Sequence, residues 1–102
     1  MKAYLITFSG DFATRDKVTE HIDSWPEIPF WYCSMPNCVF ITSDLSASAI
    51  AEKLEKHFDV SDGKRFLVAE LNSNAQGRLP KQAWHLMANP DNPRLPEEKT
   101  KK

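Results

Sequence analysis

The sequence predicts an α+β domain, a ferredoxin-like βαββαβ sandwich: a four-stranded antiparallel sheet with two helices on one face, plus a short C-terminal element and a disordered tail. Apolar runs rich in β-branched and aromatic residues alternate with amphipathic stretches in the order β-α-β-β-α-β. The middle two runs, within Phe30 to Thr42, meet at Pro36-Asn37, where Pro presets φ and Asn tolerates a turn, so they form a hairpin. Right-handed crossovers then place both helices on the same side of the sheet.

Ala3-Tyr4-Leu5-Ile6-Thr7-Phe8 ends at Ser9-Gly10-Asp11 and, apolar on both faces, reads as a central strand. Thr14 suits an N-cap, and Asp16 in the next turn complements the helix dipole. Val18, Ile22 and Trp25 follow as one stripe at i, i+4, i+7. Pro26 disfavours the α conformation at Trp25 and ends the helix. Phe30 to Met35 and Cys38 to Thr42 are the second and third strands, joined by a very short turn. Ser46 caps the second helix, with Ala47, Ile50, Ala51, Leu54 and Phe58 on its apolar face and Glu52 and Lys56 paired on the other.

Asp62-Gly63 is a turn before the fourth strand, Lys64 to Leu71. After a polar loop, Pro80 suits the first turn of a short helix with Trp84, Leu86 and Met87 as its apolar part; a fifth strand is the alternative. Residues 1–88 make the ferredoxin-like domain. Residues 89–102, with three prolines and mixed charge, have little to bury and read as a disordered tail.

At 102 residues the chain is one small domain, of a size that buries roughly two-thirds of its unfolded surface. Lys and Arg number 13 against 14 Asp and Glu, a net charge of −1. A nucleic-acid partner is therefore not supported by net charge and would need a local basic patch. The run Ala3 to Phe8 is too short for a secretory or membrane-spanning segment, so no membrane partner is expected. Two cysteines make no disulfide framework, which points to a reducing, cytoplasmic home. With both helices on one face, the other face of the sheet is expected to be open. Tyr4, Ile6, Phe8, Phe40, Phe66 and Val68 are assigned to that face, and a homodimer burying it is the expectation.

Phe30-Trp31-Tyr32, followed by Phe40-Ile41-Thr42-Ser43-Asp44-Leu45-Ser46-Ala47 and Ile50, resembles a family of small bacterial proteins often labelled SinR-like. That label is distinct from the helix-turn-helix regulator of the same name. Tyr4-Leu5-Ile6, Lys64 to Leu71 and Trp84 fit the same pattern, and the likeness spans most of residues 1–88. The family looks like a branch of the ferredoxin-like superfamily of the small CRISPR-associated spacer-acquisition nuclease, VapD-type toxins and GhoS-type antitoxins. The resemblance implies a homodimer. In the nuclease members it implies an Asp at the end of the first strand, holding a divalent metal or acting at the dimer interface. Here the matching position is Ser9, and Asp11 lies two residues further on. A serine does not supply the hard anionic oxygen that magnesium prefers.

Asp11 is thus the candidate catalytic or metal-binding carboxylate, and Ser9 the candidate contact to a phosphate. No His or acid is placed to make Ser9 a triad nucleophile. His21, His57 and His85 fall on separate elements without ligand spacing and read as structural. Cys33 and Cys38 flank the hairpin turn. In a four-residue loop they would face each other; in a two-residue loop Cys33 opposes Phe40 and Cys38 opposes Met35. Small apolar strand residues is the better reading of both.

Tyr4, Phe8 and Phe40 lie on the strands that RNA-recognition motifs use to stack bases, yet Asn37 to Ile41 lacks the basic, Gly-rich signature. Trp25, Trp31 and Trp84 read as packing anchors. Lys2, Lys64, Arg65, Arg78 and Lys81 read as solvated charges, as do Lys99, Lys101 and Lys102. Pro90, Pro93 and Pro96 beside Arg94 match a P-x-x-P ligand only formally. The expected function is a homodimeric binding or regulatory module, non-enzymatic and without cofactor. The alternatives are a magnesium-dependent endonuclease or endoribonuclease acting across the dimer, and an antitoxin-like or nucleic-acid-binding defence-system component.

Overall fold

A computed structural model of the chain describes residues 1–61 and 63–95. The elements are β1 (Lys2–Phe8), α1 (Arg15–Asp23), β2 (Phe30–Tyr32), β3 (Cys38–Ser43), α2 (Ala47–His57), β4 (Phe66–Leu71) and α3 (Lys81–Ala88). The strands form one antiparallel sheet in the order β2-β3-β1-β4, the ferredoxin-like arrangement that the pattern predicts. The N-caps are as expected. Thr14 Oγ1 accepts from the Lys17 amide at 3.2 Å and Ser46 Oγ from the Ala49 amide at 3.1 Å.

Because side chains alternate along a strand, β1 feeds two cores. Tyr4, Ile6 and Phe8 point towards α1 and α2, where they meet Val39, Ile41, Val18, Ile22, Ile50 and Leu54. The Tyr4 hydroxyl, inside that core, donates to the Leu45 carbonyl at 2.7 Å. Phe12, from the loop after β1, plugs the end of this layer, its ring centroid 5.0 Å from that of Phe58 and 5.2 Å from that of Phe66. Ala3 and Leu5 point the other way, with Phe40, Phe30, Tyr32 and Leu71, onto Ala83, Leu86 and Met87 of α3.

This corrects the open-face assignment. Tyr4, Ile6 and Phe8 lie under the α1–α2 layer, and the register Ile6↔Val68 and Phe8↔Phe66 puts Val68 and Phe66 there as well. Only Phe40, paired with Leu5, lies on the opposite face, and α3 covers it. The six residues mix two faces, and the face expected to be open carries a third layer.

Boundaries also move. α1 ends at Asp23, so Trp25 packs from the turn after the helix instead of closing its stripe. β2 ends at Tyr32, opposite Phe40, so residues 33–37 form a longer loop than a tight Pro-Asn turn, and neither expected cysteine pairing occurs. The Arg15 guanidinium donates to the Met35 carbonyl at 3.0 Å and holds this loop against α1. β4 begins at Phe66 rather than Lys64. The segment after the polar loop is helix, not strand.

Residues 89–95, where the sequence reads as tail, are strapped onto α3. The buried Gln82 amide donates to the Pro93 carbonyl and accepts from the Leu95 amide at 2.9 Å. His85 Nε2 lies 2.9 Å from the Asn92 carbonyl oxygen, and the Arg94 guanidinium sits 5.2 Å above the Phe30 ring. The rest of the expected tail, with Pro96, Lys99, Lys101 and Lys102, lies outside the described residues, as does Asp62. No helix among the described residues is long and apolar enough to cross a membrane.

If α3 is a structural layer, Leu86→Ala should cost what a core leucine costs, about 2–5 kcal/mol. Urea unfolding followed by circular dichroism measures this. A loss below about 0.5 kcal/mol, the scale of a surface change, would mean that α3 only decorates the sheet.

Candidate functional site

The sequence points to the end of β1, and the structure brings Ser9 and Asp11 together there. The Ser9 amide donates to the Arg65 carbonyl at 2.9 Å. Ser9 Oγ accepts from the Arg65 amide at 3.1 Å and donates to Asp11 Oδ1 at 2.6 Å. One hydroxyl thus does two things. It closes the loop onto Asp11, and it accepts from the Arg65 amide, which with the Ser9 amide carries the β1–β4 ladder one pair past Phe8. The Ser9 carbonyl accepts from the Phe12 amide at 3.0 Å, which starts the turn that drives Phe12 into the core.

Asp11 is exposed, and its carboxyl is held below the usual carboxylate range. The main cause is the Ser9 hydroxyl, partly offset by desolvation, with its own amide and the charges of Lys64 and Arg65 adding to the effect. Gly63 lies against it: a Cβ there would be 3.6 Å from Asp11 Oδ2. Gly63 has φ of 86°, in the left-handed region that glycine adopts without strain. Beyond it, the Lys64 ammonium bonds Asp59 at 3.1 Å, which is the largest cause of the lowered Asp59 carboxyl.

The described residues here do not fit a magnesium ion. A hard divalent cation takes several oxygen ligands, whereas Asp11 offers one carboxylate, already bonded through Oδ1 and flanked by two cations. Among the described residues no group of three or more His, Cys, Asp or Glu side chains could hold a metal. Contrary to the expectation that no acid stands beside Ser9, its hydroxyl donates to the Asp11 carboxylate; that carboxyl is held low, which makes it a weak base, and no described histidine contacts the pair.

The other candidates resolve as follows. His21 and His57, separate in sequence, meet across the ends of α1 and α2 with ring centroids 5.8 Å apart, beside Trp25 and Phe58. Spacing along the chain does not reveal that pair, because it exists only once the helices dock. Cys33 and Cys38 are free thiols, and burial pushes both up. Tyr4 and Phe8 are buried under helices and Phe40 under α3, so no aromatic platform faces solvent on those strands.

Trp25 is core, with the Lys53 ammonium 4.9 Å from its ring centroid. Trp31 donates its indole N–H to Asp23 at 3.0 Å, and Trp84 borders a depression between α3 and the 72–76 loop. Lys2 stands at the opposite end of β1 from Lys64 and Arg65, so these charges do not merge into one patch.

The feature that sequence reading misses lies on β4. The ferredoxin-like order already makes β4 an edge strand, but its apolar run does not reveal that Leu67 is left 59% exposed. A groove runs beside it, floored by Phe66 and Leu67 and walled by Ala47, Ser48 and Ala51 of α2. Scans of this chain against known protein families, curated proteins and solved structures find no match.

The lowered Asp11 carboxyl sets a sign. A group whose folded pKa is depressed adds stability above its unfolded pKa, and this is lost as pH falls through the lower folded value. Ser9→Ala should therefore raise the Asp11 midpoint in a carboxyl NMR titration and lower the urea midpoint near neutral pH. The contribution from Asp11 to that gap should shrink as pH drops below the ordinary value of 3.8. An unmoved Asp11 midpoint would show that Ser9 does not control it.

Proposed function

We propose that this chain is a homodimeric binding or regulatory module that works in the cytoplasm and carries out no phosphodiester chemistry. The observation that carries this reading is the Ser9 hydroxyl, bonded at 2.6 Å to Asp11 and at 3.1 Å to the Arg65 amide. Ser9, at the position where the nuclease relatives are expected to carry an Asp, and Asp11, the candidate replacement carboxylate, are engaged in holding β1, β4 and the Phe12 loop together. The resemblance to SinR-like proteins supports the dimer. Exposed apolar side chains, Leu67 above all, with Val60 and Met35, supply surface that a protein partner would cover. Two free thiols, Cys38 buried and Cys33 half-buried, suit a reducing compartment.

One observation favours the rival endonuclease reading: Asp11 is exposed, with the charges of Lys64 and Arg65 close enough to lower its carboxyl. Incubation with single- and double-stranded RNA and DNA, with and without magnesium or manganese, separates the two. No cleavage is expected under any of these conditions. Metal-dependent cleavage that disappears in Asp11→Ala would overturn the non-enzymatic reading. Sedimentation at micromolar concentration should give twice the 11.7 kDa of one chain, and a monomer there would overturn the dimer. Tight, strongly salt-dependent binding to RNA or DNA would reassign the module to nucleic acid.

A further inference from the structure

We infer that the free edge of β4 pairs antiparallel, about a two-fold axis at Val68, with the same edge of a second copy of this chain; the inference rests on the homodimer reading and specifies where the partner sits. The two edges of the sheet differ. β2 has three residues, follows Pro29 and carries Arg94 over Phe30. β4 has six residues, Phe66 to Leu71, with no proline or lysine within it and an unbroken register against β1, hence no bulge. Natural edge strands are normally blunted by shortness, proline, charge or bulges. β2 is short and braced, whereas β4 is long and regular and carries one charge, Glu70.

The backbone of β4 offers a defined set of free groups. The Ser9 amide bonds the Arg65 carbonyl, so hydrogen-bonded positions along this antiparallel pair fall on Thr7–Leu67, Leu5–Ala69 and Ala3–Leu71. The Phe8 amide, bonded to the Asn37 carbonyl on the β3 side, agrees with that alternation. Amides and carbonyls of Phe66, Val68 and Glu70 therefore point away from β1. A two-fold axis at Val68 sets Phe66 opposite the partner's Glu70 and Val68 opposite the partner's Val68, and uses all of them.

Side chains suit the same register. Leu67 would lie opposite the partner's Ala69, a large apolar group against a small one, on the face where Leu67 is now bare. Glu70, which forms no ion pair among the described residues, would lie opposite the partner's Phe66, near the end of the partner's strand that Lys64, bonded to Asp59 within its own chain, precedes. On the helical face, the small residues Ala47, Ser48 and Ala51 of α2 line the groove beside the edge, with Glu55 of α2 and Lys64 and Arg65 as its charges.

The test uses the full chain. Val68→Pro removes an outward N–H while leaving the β1 ladder its donors. With the fold checked by circular dichroism, its sedimentation mass should fall from twice 11.7 kDa to 11.7 kDa. Separately, Leu67→Cys with Ala69→Cys, in a chain whose Cys33 and Cys38 are changed to serine, should give a covalent dimer on mild oxidation. If Val68→Pro does not fold, hydrogen exchange on the unaltered dimer decides: the Phe66, Val68 and Glu70 amides should be protected. A dimer with those amides exchanging freely and no cysteine cross-link overturns the edge pairing and leaves the homodimer reading standing. A monomer at micromolar concentration overturns both and leaves the edge to a strand from another protein.

Discussion

Strand β1 is buried on both faces, and the other elements are arranged to satisfy it. Tyr4 and Ile6 are fully buried towards α1 and α2, while Ala3 is buried on the side of α3. Each large apolar side chain removed from water adds about 1.5–3 kcal/mol. Two helices packed on one face of a ferredoxin-like sheet would leave Leu5, Phe40 and Phe30 wet. This chain adds α3 as a third layer. A helix of eight residues is marginal alone, so α3 depends on the sheet as much as the sheet depends on it. Gln82 then ties residues 93–95 back onto α3, and Arg94 reaches Phe30.

The end of the same strand decides how a site there can behave. A serine hydroxyl both donates and accepts, so Ser9 serves Asp11 and the Arg65 amide together. An ionised carboxylate in its place would only accept, and it would face Asp11 as a like charge. Serine at this position thus has the chemistry that allows the loop to close on itself. Closure seats Phe12 between Phe58 and Phe66, making this corner part of the core's boundary.

What remains outward-facing is unevenly distributed. The β2 edge is short and braced, and α3 with its strap covers most of the second face. Unsatisfied backbone and bare apolar surface coincide along β4, beside the small residues of α2. The coincidence ties an inference about partners to the topology. A strand in fourth place in the chain becomes an edge only because β1 and β3 occupy the middle of the sheet.

From sequence alone, the element order, both side-chain N-caps and the apolar stripes of α1 and α2 were legible, because each rests on residues close together in the chain. Thr14 and Ser46 bond amides three residues on, and Val18 and Ile22 share a face by helical period alone. That Ser9 and Asp11 follow the end of a strand was also legible. Tertiary structure decided what depends on distant residues meeting. It placed Tyr4, Ile6 and Phe8 under helices rather than in the open, because strand parity gives which residues share a face but not which layer covers it. It laid α3 over Phe40, brought His21 beside His57, and left Leu67 bare on the edge strand β4. It also gave Ser9 its partners, since Arg65 is remote along the chain and arrives only through the β1–β4 pairing that the whole core enforces.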